Sequence, residues 1–105
     1  ITKGEIFISE CKFWGGEKLY SETVDQLFGY LTWRRNYATI ITFSKNKGFT
    51  DVLISIKQAI RSHPSYVGGF IELTDTHFQS IHRLPSDPKK EVEIHHLAFD
   101  LNNDK

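Results

Sequence analysis

Hydrophobic and polar positions follow two different rhythms in this chain, a period of two near its start and a period of 3.6 in two later stretches. Residues 5–13, EIFISECKF, are rich in β-branched and aromatic types and run into Gly15-Gly16, which predicts a strand. Side chains alternate faces along a strand. Ile6, Ile8, Glu10 and Lys12 therefore share one side, and Phe7, Ser9, Cys11 and Phe13 the other. Val24, Leu27, Phe28 and Leu31 then fall at the i, i+3, i+4, i+7 spacing of a buried helical stripe. Ser21 suits the N-cap, and Glu22 and Asp25 suit the positive first turn, so the pattern predicts a helix over 22–34. A second strand is predicted over 37–43. The polar loop SKNKG leads to Thr50, read as the cap of a second helix carrying Val52, Leu53, Ile56, Ala59 and Ile60, which Pro64 stops.

After Tyr66 the texture changes. Gly68-Gly69 precedes an apolar run over 70–73, and a hairpin is predicted from 76–84 and 91–101 around the turn SDPKK. The fold class expected is α/β: strand-helix-strand-helix, with a right-handed crossover between parallel strands, followed by a mainly antiparallel β region. Both faces of such a sheet are expected to be covered. No repeat, low-complexity tract or long linker divides the chain, so residues 1–105 read as a single domain, with a polar, frayed tail after Leu101.

Apolar residues make up 39% and charged residues 25%. No stretch approaches the roughly 18 consecutive apolar residues of a membrane span. Lys and Arg outnumber Asp and Glu nine to six through Arg61, and acids lead seven to four after it. The resulting dipole is mild and neither requires nor excludes nucleic acid. Cys11 is the only cysteine, so no internal disulfide can form; a reducing compartment, the cytoplasm, is the expectation. The chain opens on Ile1 and contains no methionine, which suggests a piece excised from a larger domain.

Glu10 and Lys12 place a carboxylate and an ammonium side by side on one strand face. Alone, an E-x-K in a strand is usually a solvated ion pair. Here it ends an apolar strand and precedes a Gly-Gly turn and a helix containing Gln26-Leu27-Phe28-Gly29-Tyr30, a Q-x-x-x-Y sequence. On these two motifs, within residues 5–43, the chain resembles the PD-(D/E)xK nuclease superfamily, with its restriction-endonuclease-like core, and within it the phage-exonuclease and recombination-nuclease branch. The resemblance implies a truncated core of that fold in a Mg²⁺-dependent nuclease acting on DNA phosphodiesters. A hard Mg²⁺ ion favours carboxylate oxygen and can activate a bound water. By the resemblance Glu10 and the carbonyl of Cys11 would hold the ion, and Lys12 would orient water or phosphate. Gln26 and Tyr30 would contact the DNA backbone, with Trp33, Arg34 and Arg35 extending that surface.

One departure from the family stands out: its defining aspartate lies on the preceding strand, and none of the nine residues before Glu10 is Asp. The expectation is therefore that this chain alone does not cleave DNA. A DNA-binding or regulatory domain that has lost catalysis is the alternative, and an assembly module that pairs an exposed sheet edge with a second copy is another.

Other signals carry less. His77 and His82 face opposite sides of a strand, as do His95 and His96, which argues against zinc. Asp100-x-Asn102-x-Asp104 only imitates the start of a calcium loop. Cys11 is expected to be a buried apolar residue. No GxxxxGK or GxGxxG motif occurs.

Overall fold

The computed structural model describes residues 8–31 and 37–102. In chain order the elements are β1 Ile8–Phe13, α1 Glu17–Phe28, β2 Tyr37–Ser44, α2 Phe49–Ser62, β3 Tyr66–Thr74, β4 His77–Arg83 and β5 Glu91–Asp100. The α/β expectation holds, and the five strands form one sheet in the order β1-β2-β5-β4-β3. β1, β2 and β5 are parallel, while β5-β4-β3 is an antiparallel meander. No helix among the described residues is long and apolar enough to cross a membrane.

Both helices begin earlier than the capping signals suggest. Gly16, at φ 104°, accepts the Tyr20 N–H at 3.1 Å and starts α1 immediately after the strand. Ser21 consequently lies one turn inside the helix rather than at its cap. The earlier start adds Tyr20 to the buried stripe of Val24, Leu27 and Phe28. α1 also ends at Phe28, not at 34. Gly29, a weak helix former, heads a tightened turn in which its own N–H and those of Tyr30 and Leu31 bond three residues back. In α2 the cap is Gly48, in the left-handed region at φ 74°, and Thr50 sits in the first turn. α2 stops at Ser62, two residues before Pro64.

The two helices lie on the same face of the sheet, and this overturns the expectation that both faces are covered. The reason is directional. β1, β2 and β3 are parallel, and the chain moves toward the same edge in both crossovers, β1-α1-β2 and β2-α2-β3. Two right-handed crossovers in one direction put both helices on one side; a double-sided sheet needs a reversal that never occurs here. The core is a single layer in which α1 and α2 (Val52, Ile56, Ala59, Ile60) pack on Ala38 and Ile40 of β2, Phe78 of β4, and Val92, Ile94 and Ala98 of β5.

The opposite face is uncovered among the described residues. It carries Cys11 and Phe13 of β1, with Phe43 stacked on Phe99 at 5.7 Å and tilted against Phe13 at 6.0 Å. Cys11 is exposed there rather than buried, because its face of β1 is the one without a helix.

Burial sets the scale of a first prediction. Leu27 is 0% exposed and Leu19, on the same helix, is 42% exposed. Leu27→Ala should cost about 2–5 kcal/mol in urea unfolding, and Leu19→Ala within about 0.5 kcal/mol.

Candidate functional site

β1 forms one edge of the described sheet, and its residues alternate between half-buried and exposed. Ile8, Glu10 and Lys12 are the half-buried set. Glu10 is paired in register with Ile40 and Lys12 with Thr42, both of which point into the helix-covered layer. The E-x-K side chains therefore share the face that α1 covers, at the rim of the core. Among the described residues neither makes a hydrogen bond or salt bridge.

α2 packs against β3, so α1 lies toward the β1 edge. Asp25 of α1 reaches His63 at the end of α2, which identifies the flank of α1 turned toward α2. Gln26, about 100° farther round the helix, is exposed on the other flank, above the β1 side. Tyr30 does not continue that flank as a helical residue: α1 has ended, and Tyr30 stands 55% exposed in the following turn. The spacing between Gln26 and Tyr30 is therefore tightened rather than α-helical, since Gly29 keeps a helical backbone at φ −66° while the bonds run three residues back. Trp33, Arg34 and Arg35 lie outside the described residues. No group of three or more His, Cys, Asp or Glu side chains that could hold a metal gathers among the described residues. Glu10 is a hard oxygen donor suited to Mg²⁺, but among the described residues no second side-chain donor of that kind stands beside it.

Sequence reasoning missed a second constellation, in the core. The Tyr20 hydroxyl lies 2.6 Å from Nδ1 of His96, and Nε2 of His96 lies 2.8 Å from Ser80 Oγ. Ser80 Oγ is also 2.8 Å from Nε2 of His82, whose Nδ1 is 2.8 Å from Ser65 Oγ. Ser65 Oγ in turn is 2.7 Å from Nδ1 of His63, and Nε2 of His63 is 2.8 Å from Asp25 Oδ1. Apart from Asp25, every member is buried.

Proton counting gives this chain one direction. The Ser65 backbone N–H donates to Nδ1 of His63, so neutral His63 carries its proton on Nε2 and donates to Asp25. The Ser65 hydroxyl must then donate to the same Nδ1 and accept from Nδ1–H of His82. In the same way Ser80 donates to Nε2 of His82 and accepts from Nε2–H of His96, whose Nδ1 accepts from Tyr20. Every donor points toward Asp25.

A separate pair lies on the uncovered face. His95 donates from Nε2 to Glu93 Oε2 at 2.6 Å and accepts at Nδ1 from His77 Nε2 at 2.9 Å. The three line a depression of about 410 Å³ with Ser9, Thr39, Ile41 and Leu97. The expected alternation is correct: His77 and His95 share one face, His82 and His96 the other. Because β4 and β5 are hydrogen-bonded neighbours, His77 meets His95 directly and His82 meets His96 through Ser80.

Comparison with known proteins finds no matching family model, no matching curated protein and no matching solved structure.

Burial holds the His82 pKa down at about 4, with the neighbouring His63 acting in the same direction. Burial also places His96 well below the usual imidazole range, reinforced by His82, His95 and His77. Below pH 6.5 the unfolded chain takes up protons that these folded imidazoles refuse, so stability falls as pH falls. His82 alone should remove about 3 kcal/mol by pH 4. Urea midpoints measured at pH 7.5, 6 and 4.5 should decline steadily. A flat profile would contradict the neutral core assignment.

Proposed function

We propose that this chain carries the E-x-K strand and following helix of a Mg²⁺-dependent, PD-(D/E)xK-type nuclease domain acting on DNA in the cytoplasm. The observation that carries this reading is the placement of Glu10 and Lys12. They stand side by side on an edge strand, on the face covered by α1, and a parallel β-α-β crossover follows them at once. A carboxylate there can offer oxygen to Mg²⁺, and an ammonium two residues on can hold a water or a phosphate oxygen as a point charge. The carbonyl of Cys11 lies between them in sequence and is the proposed backbone ligand. Gln26, exposed on the flank of α1 toward β1, is positioned for the phosphate backbone, and Tyr30 in the turn below it is proposed as a further contact, with Trp33 and Arg34 continuing the surface. The ion, when bound, would activate water and offset charge developing on the phosphate.

A second reading has its own observation. The exposed edge of β1 in the described sheet also suits a DNA-binding or regulatory domain of the same fold without catalysis, and an aspartate on the strand preceding β1 is what would separate the enzyme from it. The edge position of β1 would also suit pairing with a second copy.

Digestion of linear DNA by the product of the complete gene, with Mg²⁺, separates these readings. Cleavage is expected, with a loss of at least about 100-fold in Glu10→Gln and in Lys12→Ala. Calorimetric titration with Mg²⁺ should lose its signal in Glu10→Gln and retain it in Lys12→Ala. Binding of DNA without cleavage would favour the second reading, and cleavage that persists in Glu10→Gln would remove the role assigned to that carboxylate.

A further inference from the structure

The chain of Tyr20, His96, Ser80, His82, Ser65, His63 and Asp25 joins two chemically different ends. At the outer end the Asp25 side chain is 64% exposed and lines a surface pocket with His63 and Arg83. At the inner end Tyr20 is 5% exposed and lies beside the Thr42 hydroxyl. Burial pushes the phenol's pKa up and the nearby Thr42 hydroxyl offsets part of that rise, yet the two are not in hydrogen-bonding geometry, and among the described residues the Thr42 oxygen is the buried side-chain oxygen left without a partner. Thr42 is the register partner of Lys12.

We propose that these seven groups form one proton relay, which keeps a single orientation while Asp25 accepts a hydrogen bond and reverses as a unit when position 25 becomes a donor. Each step conserves atoms. Asp25 takes the Nε2 proton of His63, which takes the Ser65 hydroxyl proton at Nδ1; Ser65 takes the Nδ1 proton of His82. His82 takes the Ser80 proton at Nε2, Ser80 takes the Nε2 proton of His96, and His96 takes the Tyr20 proton at Nδ1. The phenolate so formed is not stable in a buried site. It takes one replacement proton from a hydronium ion at the inner end, which leaves as water, and the re-formed O–H turns from His96 toward the Thr42 oxygen, which has no partner at rest. The net change is one proton taken up beside Thr42 and one delivered to Asp25, with all three imidazoles neutral and their tautomers exchanged.

The resting orientation is favoured because reversal sacrifices the bond from the Ser65 N–H to His63 Nδ1. Among the described residues two charged or titratable groups share the pocket with Asp25 at the outer end, His63 from the end of α2 and Arg83 from β4. If the nuclease reading holds, the proton taken up inside is the one released when water attacks the phosphodiester. That assignment rests on the proposed function, whereas the relay itself does not.

Imidazole ¹⁵N spectra of this chain at pH 7.5 provide a test independent of DNA cleavage. In the unsubstituted protein His63 and His96 should be protonated on Nε2 and His82 on Nδ1. Asp25→Lys, which puts a donor at the exposed end, should exchange all three tautomers. Asp25→Lys combined with Ser80→Ala should exchange His63 and His82 only. Asp25→Asn, whose amide oxygen still accepts, should keep the resting pattern. Asp25→Arg is the second donor variant should the lysine disturb folding, as judged from amide spectra. A His96 tautomer that ignores position 25, or that follows it even with Ser80→Ala, would overturn the relay.

Discussion

A buried polar group costs free energy unless it is hydrogen-bonded, and that constraint governs the interior of this protein. Three histidines, two serines and a tyrosine are enclosed in the layer between the helices and the sheet. They are tolerated because each completes its neighbour's bonding, from Tyr20 in α1 through β5 and β4 to His63 at the end of α2, and back to Asp25 in α1. The chain thereby ties both helices to the centre of the sheet. Removing one internal member would strand its partners, at about 1–3 kcal/mol for each group left unsatisfied. Apolar packing around the chain, including the edge contacts of Phe28 with His63 at 5.9 Å and with His82 at 6.1 Å, keeps water from competing.

The fold class was legible in the sequence because periodicity reports which residues face a core. The stripe of Val24, Leu27 and Phe28 and the apolar run of β2 both stand where the pattern predicts. Helix boundaries were less legible. Ser21 and Thr50 are good capping residues, but Gly16 and Gly48 cap earlier through backbone geometry that composition does not reveal. The single-sided layering depended on the position of β3 at the far edge, a long-range fact that no local pattern encodes.

The candidate site was partly legible. Alternation along β1 correctly paired Glu10 with Lys12 on one face, whereas Tyr30 was assigned to a helix that ends at Phe28. The histidine chain escaped for an instructive reason. His77 and His82, like His95 and His96, were compared only within their own strands, where they diverge. The predicted hairpin around SDPKK already implied that β4 and β5 pair, and that register sets Ser80 opposite Ile94 and Phe78 opposite His96. Following it would have brought Ser80, His82 and His96 together on one face.

Two features now meet at the strand pair β1-β2: the E-x-K side chains on β1, and the Thr42 hydroxyl on β2 at the inner end of the histidine chain. On the proposed nuclease reading the working surface is the β1 edge, on the helix-covered side, and not the bare apolar face. Amide spectra of the ¹⁵N-labelled chain during titration with a short DNA duplex and Mg²⁺ test that placement directly. Shifts should concentrate at Glu10, Lys12, Gln26 and Tyr30. Shifts centred instead on Cys11, Ile41 and His95, across the sheet, would contradict it.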